Sequence, residues 1–369
     1  MHLMNIWNSA IKILSWLILL ALAGCGGTEA VVASAPTATM PLPTRTPTRV
    51  VQILSTPSPH PTTFTPTPTA PPLVLPTVLP TLRPAATPTP VEAGTIACLC
   101  NEACSCRPEH VVIISIDGLR PDAMEQSDAP TLAALRTRGA YSAAAQTVLP
   151  SVTLVGHASM LGGMSPEKHG IYWNVNAPEL GKVKGPTLFS VAHEAGLSTA
   201  MIVGKPRLEH LVLPGSVDHY EHAGFTDRQV INSALKLIQS GLPDILFIHL
   251  PDIDTIGHSL GWMSPGQLIA VNKTDRLVGE VITALEVGDY LEQTLLIITA
   301  DHGGSGFRHG SDSLEDVRIP WLAVGPGVPA GLILKRDIVT YDTAATVLYA
   351  FDLPIPEIWD GQPVLEIFQ

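Results

Sequence analysis

The sequence predicts an α/β domain with a mainly parallel β-sheet sandwiched by helices on both faces. Five short segments are almost continuously apolar, as buried strands are, and segments with helical periodicity lie between them. The predicted strands are 110–117, 198–204, 244–250, 294–301 and 320–325. The predicted helices are 131–138, 187–195, 227–239, 265–285 and 343–351. Functional residues are expected just past the carboxyl ends of the strands, which meet at one edge of such a sheet.

Residues 1–24 have the pattern of a lipoprotein signal peptide. Their apolar segment, 13–23, is shorter than a membrane span and ends in Leu22-Ala23-Gly24-Cys25. This tetrad resembles the lipobox of bacterial lipoproteins, in which the cysteine becomes lipidated. We expect export, a lipid anchor on Cys25 in the bacterial cell membrane, and an extracytoplasmic domain. The alternative is an ordinary secretory signal with a chance cysteine.

Residues 25–96 are dominated by proline and threonine, in runs such as "TPSPHPTTFTPTPTAPP". This composition predicts a disordered to polyproline-II stalk. We interpret the stalk as a spacer that carries the domain away from a membrane, and the alternative is an uncleaved disordered leader.

Residues 97–106 hold a cluster of four cysteines: Cys98, Cys100, Cys104 and Cys106. An even number of cysteines in an exported chain predicts two disulfides. A zinc site is the alternative, although the usual CxxC spacing is absent. The catalytic domain is then expected to be 107–369, which is long enough for one large domain.

Ionisable residues follow the predicted strands repeatedly. A single aspartate at a strand end is usually a turn former or helix cap. Here three carboxylates and three imidazoles are expected at one edge, and they are Asp117, Asp254, His258, Asp301, His302 and His309. Such a set suits two divalent ions, and mixed nitrogen and oxygen ligands favour zinc over magnesium or calcium.

The segment 146–171 offers a nucleophile. Its hydroxyls include Ser151, Thr153 and Ser159, and the segment ends in "GGMSPEKHGI". Together with the Asp-x-x-Gly-His spacing of Asp254 and His258 and with the later "DHG" and "HG", it resembles the alkaline phosphatase superfamily. The resemblance is to the type I phosphodiesterase and nucleotide pyrophosphatase branch, and it covers nearly all of 107–369.

The resemblance implies an alkaline phosphatase-like fold and a role for each matching residue. Thr153 is implied as the nucleophile and, with Asp117, Asp301 and His302, as a ligand of one metal ion. The other ion would be held by Asp254, His258 and His309, while Asp252 is expected to be structural. A threonine hydroxyl needs such activation, because it is a poor nucleophile at its free pKa. Zn²⁺ is the expected metal, with Mn²⁺ as the alternative.

Two departures from the family pattern are Gly156 and Gly162. We interpret Gly156 as replacing an asparagine that contacts the substrate phosphate in the family, and Gly162 as replacing a threonine. Lys205 follows the second predicted strand and is a candidate phosphate-binding residue, or else a solvated loop lysine.

The predicted function is cleavage of phosphodiester or pyrophosphate bonds in a small-molecule phosphate ester. A phosphomonoesterase or phosphonate hydrolase of the same superfamily is the alternative. A sulfatase would need a C/S-x-P-x-R motif, which the domain lacks, and a surface binding lipoprotein would not need the six aspartates and histidines. The net charge of −12 argues against a nucleic-acid polymer as ligand.

Overall fold

The computed structural model describes residues 107–368. The predicted signal peptide, stalk and cysteine cluster lie outside the described residues, so those predictions remain predictions. Within the described range, no helix combines the length and the apolar character needed to cross a bilayer.

Eight strands form one sheet: β1 His110–Ile116, β2 Ala140–Gln146, β3 Thr199–Val203, β4 His219–His222, β5 Ile245–Leu250, β6 Thr294–Thr299, β7 Arg318–Val324 and β8 Leu332–Ile333. Ten α-helices are described with them: α1 Pro121–Gln126, α2 Pro130–Arg138, α3 Thr153–Gly162, α4 Pro166–His169, α5 Leu188–Glu194, α6 Asp227–Ser240, α7 Asp252–Leu260, α8 Pro265–Val287, α9 Leu314–Val317 and α10 Asp342–Ala350.

The sheet is mainly parallel, as predicted. Its strand order is β4-β3-β5-β1-β6-β7-β2-β8. Only β7 runs against the others, since it pairs antiparallel with both β6 and β2. The five predicted strands correspond to β1, β3, β5, β6 and β7, and β2, β4 and β8 were not predicted.

Helices cover both faces of the sheet. Every residue of β5 and β6 is buried, and so are the last six of β1, which strands achieve only when both their faces are packed. The helices form two groups that pack internally: α3, α4, α5 and α10 in one, and α1, α2, α6 and α7 around the long helix α8 in the other. The predicted sandwich is confirmed.

Side-chain caps define the helix starts that the sequence predicted well. Thr187 and Ser190 form a capping box at α5, Thr226 caps α6, and Ser264 caps α8 ahead of Pro265. These side chains satisfy backbone N–H groups that have no partner inside the helix.

The strand order of the sheet determines where the candidate site lies. β1 lies between β5 and β6 and is parallel to both. The segments that follow these three strands therefore meet at the carboxyl edge of the sheet centre.

Candidate active site

The first group of candidate ligands stands at the ends of β1 and β6. Asp117 follows β1 directly, and Asp301 and His302 follow β6 after one alanine. All three side chains are fully buried. Ligand atoms of the three lie within 4.8 Å of one another. We call Asp117, Asp301 and His302 the central triad.

The second group comes from helix α7 and the loop that follows β6. Asp254 and His258 lie one turn apart on α7 and share a face because their spacing is four residues. His309 joins them from the loop, and ligand atoms of the three lie within 4.8 Å of one another. We call Asp254, His258 and His309 the outer triad. Apart from Thr153, which the resemblance also assigned to the first metal ion, the two triads are the two ligand sets that the resemblance implied.

The three imidazoles share one hydrogen-bonding arrangement. Each Nδ1 faces a backbone carbonyl: that of Gly303 for His302, of Phe307 for His258 and of Ser151 for His309, at 2.7, 3.0 and 2.9 Å. A carbonyl only accepts, so each Nδ1 carries the proton that it donates. Nε2 is left toward the carboxylates, and the Nε2 atoms of His258 and His309 lie 3.1 Å apart. A histidine whose Nδ1 donates to a backbone carbonyl is oriented to bind a metal ion through Nε2.

The carboxylates have oxygens without a partner. Oδ1 of Asp117, Oδ1 of Asp254 and Oδ2 of Asp301 are buried and form no hydrogen bond. A buried carboxylate oxygen in this condition is costly unless a cation or donor meets it. These carboxylate oxygens, together with the Nε2 atoms that face them, fit divalent cations with mixed oxygen and nitrogen ligands.

The electrostatics of the central triad favour positive charge. Burial and the nearby Asp117 raise the pKa of Asp301 to about 6. Burial alone would lower the pKa of His302, but the Asp301 and Asp117 carboxylates outweigh burial and raise it to about 9. Because a proton and a metal ion compete for the same lone pair on Nε2, this shift indicates that His302 lies in a cation-attracting field.

Thr153 is the first residue of α3 and is buried beside the central triad. Its Oγ1 lies 3.4 Å from Nε2 of His302. The other two hydroxyls considered from sequence are engaged elsewhere: Ser151 donates to the carbonyl of Ser311 at 2.7 Å, and Ser159 pairs with His169 at 3.0 Å. Of the three, Thr153 is the hydroxyl that faces the triads.

Lys205 reaches into the same space from the end of β3. Its Nζ lies 2.6 Å from Oδ2 of Asp117 and 2.6 Å from Oδ2 of Asp254, and 3.2 Å from Oγ1 of Thr153. Burial lowers the pKa of Lys205, but Asp117 and Asp254 outweigh burial and raise it. The lysine is therefore a fixed cation between the two triads, and it is no solvated loop residue.

Two buried histidines support the site and were not singled out from sequence. His249 in β5 donates from Nε2 to Oδ2 of Asp117 at 2.8 Å, and its Nδ1 accepts from the backbone N–H of Gly204. His157 in α3 donates from Nδ1 to the carbonyl of Thr153 at 2.8 Å. Burial lowers the pKa of His157 to about 4, so it stays neutral. The signal for His249 was a polar residue inside the otherwise apolar "ILFIHL".

The interpretation of Gly156 as the missing phosphate contact is wrong. A Cβ at Gly156 would stand 2.5 Å from the carbonyl oxygen of Asp301, so this position faces backbone. The amide at the start of α3 comes from Asn174, whose Oδ1 accepts from the N–H of Leu154 at 3.0 Å. Arg207 donates to the Asn174 carbonyl at 2.7 Å and so fixes this loop. Asn174 follows "HGI" by three residues, which was the available signal.

The sheet, the two triads and the buried threonine at its carboxyl edge define an α/β domain with a candidate metal centre, and the comparisons with known proteins assign it to the alkaline phosphatase superfamily. Residues 111–317 match the model of the family described as type I phosphodiesterase / nucleotide pyrophosphatase. The chain belongs to that family, and the resemblance seen in the sequence is confirmed.

Individual relatives agree at the level of family and fold. The chain is 27% identical over 233 residues to an uncharacterized pyrophosphatase/phosphodiesterase of Schizosaccharomyces pombe, covering 58% of this chain and 47% of that protein. It is 27% identical over 280 residues to the catalytic subunit of human GPI ethanolamine phosphate transferase 2, covering 69% of this chain and 28% of that protein. The chain thus spans less than half the length of these curated relatives.

The fold matches a solved relative. The inactive murine ectonucleotide pyrophosphatase / phosphodiesterase 5 in complex with AMP superposes with a TM-score of 0.59 at 15% identity, over 67% of this chain and 96% of that one. At this identity the match establishes the fold alone.

Proposed function

We propose that the domain is a metal-dependent phosphoric ester hydrolase that cleaves phosphodiester or pyrophosphate bonds with Thr153 as nucleophile. The observation that carries the proposal is the position of Thr153 Oγ1, buried at a helix start and 3.4 Å from Nε2 of His302. Membership of the phosphodiesterase family supports the reaction class.

The central triad would hold one divalent cation together with Thr153, and the outer triad would hold the other. We propose zinc, with manganese as the alternative, because the donors are carboxylates and imidazoles. When bound, two such cations supply Lewis-acid stabilisation of the attacking and leaving oxygens.

The chain's own residues perform the displacement in two steps. As Thr153 Oγ1 attacks phosphorus in line, its proton passes to solvent water, the Oγ1–P bond forms and the bond to the leaving oxygen breaks. The leaving oxygen takes up a proton from solvent, so the first step leaves the proton count unchanged. Water then attacks the phosphothreonine, the Oγ1–P bond breaks, and the departing Oγ1 takes up the proton that the attacking water releases through solvent.

Three groups are placed to receive the phosphoryl oxygens. The N-terminus of α3 presents backbone N–H groups and the positive end of its dipole. Asn174 accepts from Leu154 through Oδ1 at that helix start, and its Nδ2 is the donor of the same amide group. Lys205 adds a full positive charge 3.2 Å from Oγ1 of Thr153.

Lys205 favours a second candidate function, hydrolysis of phosphomonoesters. A monoester dianion carries one more negative charge than a diester, and a fixed cation beside the nucleophile stabilises that charge. The two candidate functions are distinguished by comparing kcat/KM for bis-p-nitrophenyl phosphate with kcat/KM for p-nitrophenyl phosphate, both with zinc added. A tenfold advantage of the monoester, about 1.4 kcal/mol, would replace the diesterase proposal by the monoesterase one.

For its location, we propose an exported lipoprotein whose domain is tethered through lipid on Cys25 and the 25–96 stalk. The proposed substrate is a small-molecule phosphate ester. The net charge of −12 does not suit a nucleic-acid polymer.

The nucleophile is tested by Thr153→Ala in the full chain. Turnover is expected to be abolished while most zinc remains bound, because Asp and His side chains provide the affinity. In the wild type, mass spectrometry after acid quench is expected to find phosphate on the peptide with Thr153. Near wild-type turnover of Thr153→Ala would refute this residue as nucleophile, and Ser151→Ala is the matched control for loss of a nearby hydroxyl.

A further inference from the structure

Trp262 is the buried residue around which the ligand-bearing segments are packed. It lies in the turn between α7 and α8 and is only 6% exposed. Neither its sequence neighbourhood nor the family resemblance singled it out.

Three glycines from separate motifs pack against its indole ring. A Cβ at Gly304 would lie 2.2 Å from Cε2 of Trp262, and one at Gly257 would lie 2.7 Å from the same atom. A Cβ at Gly118 would lie 3.3 Å from Cζ2. Each glycine is a neighbour of a ligand: Gly118 follows Asp117, Gly257 precedes His258, and Gly304 is two residues past His302.

Two hydrogen bonds to backbone carbonyls attach Trp262 to these segments, one from its side chain and one from its backbone. Its Nε1–H donates to the carbonyl of Gly118 at 2.9 Å, and its backbone N–H donates to the carbonyl of Gly306 at 2.7 Å. The first bond joins the turn after α7 to the segment after β1. The second joins it to the loop that carries His309.

The ring also contacts two candidate ligands directly. The indole meets the imidazole of His258 edge-on, with ring centroids 5.1 Å apart and planes at 87°. It meets His309 at 5.8 Å and 65°. Both histidines belong to the outer triad, and neither is held there by a carboxylate on Nδ1.

We propose that Trp262 is a positioning residue that fixes the outer triad against the central triad and thereby sets the affinity for the second cation. One rigid indole touches a neighbour of Asp117, a neighbour of His258, the segment after His302 and the His309 ring. Loss of its volume therefore removes a contact shared by three segments: the turn after β1, helix α7 and the loop after β6. This inference rests on the proposed function, because it concerns the same two cation sites.

A tryptophan that only fills the core would act on stability without acting on the outer triad in particular. Trp359 provides the matched control. It is 5% exposed, donates from Nε1 to the carbonyl of Pro186 at 3.2 Å and packs on Gly163, whose Cβ would lie 2.2 Å from its Cδ2. These contacts of Trp359 include no residue of either triad.

The experiment measures zinc binding of the full chain by competition with a chromophoric chelator for Trp262→Phe, Trp262→Ala and Trp359→Phe. We expect two zinc ions in the wild type and, in Trp262→Ala, affinity for the weaker ion lowered by about 10- to 100-fold, as for loss of an outer support of metal ligands. Trp262→Phe keeps a ring against the glycines but loses the Nε1–H bond, so we expect partial rescue. Trp359→Phe should bind both ions as the wild type does.

The visible spectrum of the Co²⁺-loaded protein gives a second signal, because it depends on the coordination geometry of the ion. We expect it to change in both Trp262 variants and to stay unchanged in Trp359→Phe at temperatures where all variants are folded. Wild-type zinc affinity and Co²⁺ spectrum in the Trp262 variants would overturn the inference alone. Equal losses in Trp262→Phe and Trp359→Phe would also overturn it, since they would indicate general destabilisation. A wild type that binds no metal would overturn both this inference and the proposed function.

Discussion

Replacing Lys205 by alanine is expected to change the preference between esters and to do so selectively. Nζ stands 3.2 Å from Oγ1 of Thr153, so a phosphoryl group on that oxygen would bring at least one non-bridging oxygen to about 4 Å from the charge. Two unit charges at about 4 Å interact by about 4 kcal/mol at an effective dielectric constant of about 20. The side chain is only 12% exposed, which limits screening by solvent.

The extra negative charge of a monoester is shared by three oxygens. If one of them lies near Nζ, about a third of that energy, about 1.4 kcal/mol, distinguishes the monoester from the diester. Lys205→Ala should therefore lower kcat/KM for p-nitrophenyl phosphate about tenfold more than for bis-p-nitrophenyl phosphate.

The assay compares both substrates at saturating zinc, with bound zinc measured in each variant, because Nζ also contacts the carboxylates of Asp117 and Asp254. Lys182→Ala is the control, since it removes the same charge from a more exposed side chain that pairs with Glu209. Equal losses for the two esters at full zinc occupancy would refute the electrostatic reasoning and leave Lys205 with a structural role.

His309→Ala is expected to lower bound zinc from about two ions to about one per chain, because the outer triad loses one of its three ligands; elemental analysis of the purified protein checks this, and unchanged zinc would contradict it. Burial and repulsion from Asp252 raise the pKa of Asp227 to about 7. The folded state therefore binds more protons than the unfolded chain between about pH 4 and pH 7, so the free energy of unfolding falls as the pH rises through that range. Asp227→Asn should remove this part of the pH dependence of the free energy of unfolding, which is measured by urea unfolding at about pH 5 and about pH 8. An unchanged pH dependence would assign it to other groups. Full-length protein should partition into the detergent phase and Cys25→Ala should not, as lipid on that cysteine provides the anchor; partitioning that survives the change would place the anchor elsewhere.

The strands of the fold were predictable where their sequence is apolar throughout. β1, β5 and β6 are fully packed and were found to within a residue or two of their ends. β2, with the sequence "AYSAAAQ", was missed because its small residues carry no strand periodicity, and it exists through pairing with β7 and β8. The reversed direction of β7 could not be predicted either, because strand direction depends on long-range connections.

The residues of the candidate site likewise fall into those that the sequence predicts and those that it does not. Candidate ligands were predictable because aspartates and histidines follow several buried strands, and unpaired charges gathered at one edge would be costly, so Asp117 and Asp301 stand out as members of a set. Asn174, His249 and Trp262 act through tertiary contacts with segments remote in the chain. The sequence signals at Asn174 and His249 name no contact partner, and Trp262 has no such signal, so a structure is needed to assign their roles.

The packing of Gly304 on Trp262 has an evolutionary consequence. Gly118 has a φ of +74°, a left-handed conformation in which any other residue is strained whatever surrounds it. Gly304 has no such backbone requirement, and the space for its side chain is taken by the indole. Positions 262 and 304 should therefore covary among homologues: a lineage that replaces the tryptophan with a small residue can accept a side chain at 304, and one that retains it cannot.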